Sequence, residues 1–247
     1  YSEILTGKAD ERIQSNDKIN NPNKTILERA NNHAEYKGKV GVFGSWDVFP
    51  FIINEERSGI NVNAGYKIAE GVDLTVKERF LNGLQAKIPR PWYSVRHDAF
   101  THHYALEYMK RTHPNLIYIA YGETDDFAHD GNYEAYLNSA HTTDSFINEL
   151  WDFTESDSFY KGNTTFIITT DHGRGTKPLD TWRGHGKDID GADEVWVIAF
   201  GKGVRPMGEI KEQEQLYSNQ IAASIAKLLD IEVDKDSIGV KFKFIVN

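Results

Sequence analysis

The sequence predicts an α/β protein built on a mostly parallel sheet sandwiched between helices. Four short runs, 40–43 ("VGVF"), 116–121 ("LIYIAY"), 165–170 ("TFIITT") and 195–200 ("VWVIAF"), are apolar without alternation. Such runs suit strands covered on both faces, usually in a parallel sheet. Segments of helical spacing lie between them, and strand–helix alternation of this kind builds layered α/β folds.

In chain order, the polar stretch 9–24 ("ADERIQSNDKINNPNK") reads as a surface loop. Thr25 with Glu28, and Thr75 with Glu78, have the spacing of capping boxes, so each marks a helix start. Tyr133, Tyr136, Leu137, Ala140, Ile147, Leu150 and Trp151 recur at helical spacing and predict a long amphipathic helix over roughly 132–154. Leu216, Ile221, Ile225, Leu228 and Leu229 predict another near the C-terminus. No internal repeat, low-complexity segment or linker interrupts the pattern. Residues 1–247 are therefore expected to form a single domain, large enough to bury a sizeable core.

Bulk properties narrow the function. A net charge of −9 with no basic stripe argues against nucleic-acid binding. The acidity leaves room for cation binding, though solubility accounts for it equally. With no cysteine in the chain, disulfides, thiolate metal ligands and cysteine nucleophiles are excluded. No stretch approaches the roughly 18 apolar residues of a membrane span. The chain opens "YSEILTG", without an initiator Met or a signal peptide. Tyr1 is thus expected not to be the natural start, with any targeting segment out of view. A periplasmic or secreted setting is the expectation.

Ligands of open α/β sheets bind at the carboxyl ends of the strands. After "LIYIAYG" comes "ETDDFAHDG"; after "TFIITT" comes "DHGRG"; and "RGHG" stands shortly before "VWVIAF". Asp125 and His129 are four apart, so one helical face carries both. Asp171 and His172 share a turn that Gly173 and Gly175 keep free of bulk, and His185 lies between Gly184 and Gly186. Each feature alone reads as a solvated pair or a polar turn. Together, at successive strand mouths, they make a cation-binding constellation. Imidazole and carboxylate without thiolate suit Zn²⁺ or Mn²⁺ better than Ca²⁺.

"ETDDFAH", "TTDHGRG" and "RGHG" followed by a strand ending "AFGKGV" resemble, in order over about 115–230, the metal-binding half of the alkaline phosphatase superfamily. That group includes nucleotide pyrophosphatase/phosphodiesterases and cofactor-independent phosphoglycerate mutases. "SNQIAASIAKLLDI" is similar to its C-terminal helix, and "KGKVGVFGSWDVFP" more weakly to the phosphodiesterase branch. The resemblance implies two divalent cations, Zn²⁺ foremost and Mn²⁺ second. Asp125, His129 and His185 match the ligands of one; Asp171 and His172 match two ligands of the other. Asp126 is the rival of Asp125, whose spacing to His129 fits the family pattern. The implied activity is two-metal hydrolysis of a small-molecule phosphate ester through a Ser or Thr nucleophile, phosphatase or phosphodiesterase undecided. Arg174 and Arg183 flank the site and are candidates to hold a phosphate oxygen, or else surface charges. Trp46, Phe49 and Phe51 are candidates to stack on the substrate's organic group, or else core. His141 and Asp144 read as solvent-facing or structural, and a helix face explains His102–His103 without a ligand role.

Two parts of the family pattern are not found: the Asp after a first strand and the nucleophile. Aligned on Thr6-Gly7, the nucleophile falls upstream of Tyr1, so the fold is expected to be N-terminally truncated. Aligned on the mutases, Ser2 is the candidate. The alternatives are a phosphoglycerate mutase-like phosphotransferase and a catalytically inactive metal-binding domain of the same fold.

Overall fold

All four apolar runs become strands in the computed structural model, which describes residues 1–211, 214–233 and 238–246. The elements in chain order are α1 (Ser2–Thr6), α2 (Ile26–Asn32), β1 (Val40–Gly44), α3 (Phe49–Ile53), α4 (Glu55–Ser58), β2 (Asn61–Ala64), α5 (Val76–Gln85), α6 (Asp98–Thr112), β3 (Leu116–Ala120), α7 (Glu123–His129), α8 (Tyr133–Ser156), β4 (Thr165–Thr169), a 3₁₀ turn (Leu179–Arg183), β5 (Val197–Gly201) and α9 (Gln220–Leu228). The chain divides into two compact units. One comprises Ser15–Pro22 and Leu27–Trp151; the other comprises Tyr1–Gln14, Asn23–Ile26 and Asp152–Asn247. Among the described residues no helix is long and apolar enough to cross a membrane.

In the first unit β1 is the centre of a parallel sheet ordered β2-β1-β3, with Gly41 opposite both Asn61 and Ile117. Every residue of β1 is buried, and its alternating side chains meet helices on both faces. Phe43 packs on α6 with Leu81, Phe100, Tyr104, Ala105 and Tyr108. On the opposite face, a side chain at Gly44 would run into the Phe49 ring, so α3 packs directly on the strand backbone. Phe49 is therefore core, 1% exposed and in ring contact with Tyr118. Burying each large apolar side chain of this kind contributes about 1.5–3 kcal/mol. Helix α5 begins at the expected capping box: Thr75 accepts the Glu78 N–H at 3.0 Å and Glu78 accepts the Thr75 N–H at 2.7 Å. Glu28, the other expected capping residue, is buried and receives the Arg57 guanidinium at 2.7 Å.

Two differences from the sequence reading stand out here. Strand β2 ("NVNA") has no apolar run to announce it; its polar residues become a strand because β1 offers a free edge. In helix α8 the apolar stripe is covered only in part, with Leu150 buried while Tyr133 and Leu137 are exposed.

In the second unit β4 and β5 pair antiparallel, Ile167 opposite Ala199, and Phe166 stacks on Phe200 with centroids 5.0 Å apart. The apolar runs had suggested parallel strands covered on both faces. Both strands are only partly buried, with Ile198 half exposed, and their apolar character carries no information on direction. Helix α1 packs on α9, which buries Ile221, Ala222, Ala223 and Ala226. The α9 helix starts at Gln220, four residues after Leu216, and the Gln220 side chain accepts the Tyr217 N–H at 2.8 Å. Gly7 ends α1 in the left-handed conformation, φ 79°, against the Ile238 carbonyl.

Candidate metal centre

Strand β3 delivers the chain through Tyr121 and Gly122 into α7, and 3.6-residue periodicity then sets Asp125 and His129 on one face. His129 Nε2 lies 3.4 Å from Asp125 Oδ2, with both side chains partly exposed. Asp126 sits nearer Tyr66 and Gly122.

What aims this face is a buried polar network that begins at Asp98. Its carboxylate, 1% exposed, accepts the N–H of Gly122 at 2.7 Å and of Glu123 at 3.0 Å, and the hydroxyl of Ser45. Ser45 Oγ lies 2.7 Å from Thr101 Oγ1, which accepts from Arg96 Nε at 2.9 Å. Fully buried Arg96 also donates to the Asn63 carbonyl at 3.0 Å. Asp98 thus satisfies two of the N–H groups that a helix start leaves without an intrahelical partner. Burial, and next the Glu123 charge, push the Asp98 carboxyl up to about 7, against the pull of these hydrogen bonds. Glu123 is held in turn, 2.8 Å from His97 Nδ1. Gly122 has little room for a side chain: a Cβ there would stand 3.0 Å from Val95 and 3.3 Å from Ser45. At the far end of α7, Trp92 meets Phe127 edge-on at 4.8 Å and donates to Asp130 at 2.9 Å. Asp98 carries no sequence signal of its own, because an acid at a helix start is ordinary.

The second unit holds Asp171, His172 and His185. His172 Nδ1 lies 2.9 Å from the Gly173 carbonyl, which can only accept. The ring therefore carries its proton on Nδ1 and presents the Nε2 lone pair, the tautomer a metal ligand needs. That Nε2 is 3.6 Å from Asp171 Oδ2, and the His185 ring stacks on His172 with centroids 3.7 Å apart. Backbone hydrogen bonds lace the two segments together: Gly173 N–H to Ala192 O at 2.8 Å, Gly175 N–H to Gly184 O at 3.1 Å, and Thr176 N–H to Asp190 O at 3.0 Å. Glycine is required for this approach. A Cβ on Gly173 would collide with the carbonyl oxygens of Gly191 and Glu194, and one on Gly175 with Thr181.

Of the other candidates, Arg174 is half-buried and Arg183 exposed in the same unit as Asp171. Ser2 opens α1, and the amino group of its neighbour Tyr1 lies within electrostatic reach of Asp171. Trp46 follows β1 in the first unit, half-buried and bridged to Val95. Phe51 is half-buried in α3, and His141 and Asp144 are exposed on α8.

A family model described as "Metalloenzyme superfamily" matches residues 93–233, more than half of the chain. Among curated proteins the chain is similar to 2,3-bisphosphoglycerate-independent phosphoglycerate mutases. Those of Campylobacter jejuni strains 81-176 and RM1221 are each 27% identical over 122 residues, 49% of this chain and 23% of theirs. That of strain NCTC 11168 is 26% identical over the same length. The matched part of this chain thus covers less than a quarter of the length of those relatives.

Proposed function

Because the chain belongs to the Metalloenzyme superfamily, we propose that it is the metal-binding part of an enzyme acting on small phosphate esters, hydrolysing them as a phosphatase or phosphodiesterase. In this reading Asp125, His129 and His185 serve one divalent cation, and Asp171 and His172 another. Zn²⁺ is the first choice and Mn²⁺ the second. The donor set fits such ions: carboxylate and imidazole in each unit, with thiolate excluded by composition. The observation that carries the reading is His172, whose Nδ1 faces the Gly173 carbonyl at 2.9 Å while its Nε2 faces the Asp171 carboxylate at 3.6 Å, one imidazole and one carboxylate turned toward each other.

When bound, a pair of such cations polarises phosphate oxygens and lowers the pKa of an attacking hydroxyl or water. The chain's own residues set the stage for that chemistry. The Asp98 network fixes the start of α7 and so the direction of Asp125 and His129. The Gly173 carbonyl fixes the His172 tautomer. Arg174 or Arg183 supplies a guanidinium suited to a phosphate oxygen, and Trp46 an aromatic face for the organic group. Ser2 is the candidate nucleophile within the sequence.

A second reading, a mutase-like phosphotransferase, is favoured by the relatives, all of them named as phosphoglycerate mutases. The two separate on one experiment. Purified protein, stripped with chelator and reloaded with Zn²⁺ or Mn²⁺, is assayed on p-nitrophenyl phosphate, bis-p-nitrophenyl phosphate and 3-phosphoglycerate. Ester hydrolysis that disappears in His172→Ala and His129→Ala supports the hydrolase. Phosphoglycerate isomerisation without hydrolysis supports the mutase. Failure to bind either metal, in a titration calorimeter, would sink both.

A further inference from the structure

Apart from the residues assigned above, the first unit carries a second imidazole–carboxylate cluster. His102 is wholly buried on α6, between two oxygens: Nδ1 lies 2.9 Å from Tyr121 Oη and Nε2 2.9 Å from Glu149 Oε2. The next residue, His103, turns its ring edge-on to His102 with centroids 5.0 Å apart. Phe146 of α8 forms a shared wall, stacked on His102 at 4.2 Å and edge-on to His103 at 6.2 Å. His102, His103 and Glu149 each offer a donor atom, all within 4.8 Å of one another.

We propose that His102, His103 and Glu149 form a separate binding site for a borderline divalent cation such as Zn²⁺, clipping α8 to α6. Two nitrogens and one carboxylate oxygen suit such an ion, and three protein ligands leave a fourth position for water. With bonds of about 2.0–2.1 Å, tetrahedral donors stand roughly 3.4 Å apart. The present spacing is therefore close, and the half-exposed Glu149 side chain has the freedom to close it. His102 already has the outer partner that ligating imidazoles usually have. Without a cation the Glu149 carboxylate accepts the Nε2–H and the Tyr121 hydroxyl donates to Nδ1; a cation replacing that proton moves it to Nδ1, where Tyr121 Oη turns to accept it. The Phe146 wall shields the site on one side, as a desolvated pair of ring ligands requires.

The site rests on residues other than the five assigned to the proposed catalytic centre, so the two stand or fall separately. The test counts zinc on the full chain by calorimetry, with the visible bands of Co²⁺ as a second readout. His102→Ala risks the fold, so the variants are Glu149→Gln and His103→Ala, on side chains that are not fully buried. Each should lower the bound zinc by one equivalent, with far-ultraviolet circular dichroism unchanged. In a chain with Asp125, His129, Asp171, His172 and His185 all replaced by alanine, one equivalent should remain. Glu149→Gln should then weaken it roughly tenfold or more. Zinc stoichiometry unchanged by both single variants would overturn the site. So would a folded five-alanine chain that binds no zinc or Co²⁺.

Discussion

The candidate ligands of the two units are held by opposite means. Asp125 and His129 stand on a helix whose start is gripped by side chains: Asp98, Ser45, Thr101 and Arg96, all buried. Asp171, His172 and His185 stand on loops gripped by backbone, where Gly173 and Gly175 admit neighbouring carbonyls and N–H groups that no other residue would admit. A side-chain network is sensitive to chemistry and tolerates little change of charge. A backbone lattice is sensitive to volume and is indifferent to charge. The same ligand types are thus vulnerable to different substitutions.

The largest effect should come from the side-chain half. Asp98→Ala strands the N–H groups of Gly122 and Glu123 and the Ser45 hydroxyl, and at about 1–3 kcal/mol for each buried donor left without an acceptor the loss should reach about 3–5 kcal/mol. A urea melt should show it, and a loss below about 1 kcal/mol would mean that the helix start is held by something else. Next comes Gly173→Ala, where the new methyl meets two carbonyl oxygens. About 2–3 kcal/mol should be lost, together with zinc binding by His172, as melting and calorimetry would show. Wild-type affinity in this variant would refute the idea that backbone volume sets that half.

A smaller effect concerns pH. Folding raises the Asp98 pKa from 3.8 to about 7, so the folded state binds its proton more tightly. The stability this contributes is complete below about pH 4 and is lost as pH rises through 7. Between pH 5.5 and 8 the wild type should lose roughly 2 kcal/mol relative to Asp98→Asn, which has no proton to exchange there. A flat difference between the two melts would remove the linkage. Smallest is Gly186→Ala, whose methyl would sit at ordinary contact distance, 3.7 Å, from Ile189. A change within about 0.5 kcal/mol is expected; a large one would show that the loop is tight throughout, not only at Gly173 and Gly175.

Much of this was legible in the sequence. Apolar runs located β1, β3, β4 and β5, and periodicity placed α8 within two residues of its ends. The spacing of Thr75 and Glu78 encoded a capping box because that motif is local. The resemblance to the alkaline phosphatase superfamily agrees with the family match over 93–233. Strand β2 escaped because "NVNA" has no pattern of its own, and the antiparallel sense of β4 and β5 escaped because apolarity reports burial and not direction. Asp98, His102 and Glu149 escaped for a related reason. Their roles depend on partners 19 to 53 positions away in the chain, and no window of sequence holds both members.

One consequence of the Asp98 network lies in hydrogen exchange. The Gly122 and Glu123 amides point at a buried carboxylate on the first turn of α6, which also accepts the hydroxyl of Ser45 just after β1. Those amides can meet solvent only when segments 45, 98 and 122 part together, which amounts to opening the sheet. They should therefore exchange among the slowest in their unit, at the rate of its global unfolding. A turn that presents Asp125 and His129 to solvent would then be as kinetically locked as the core strand beneath it.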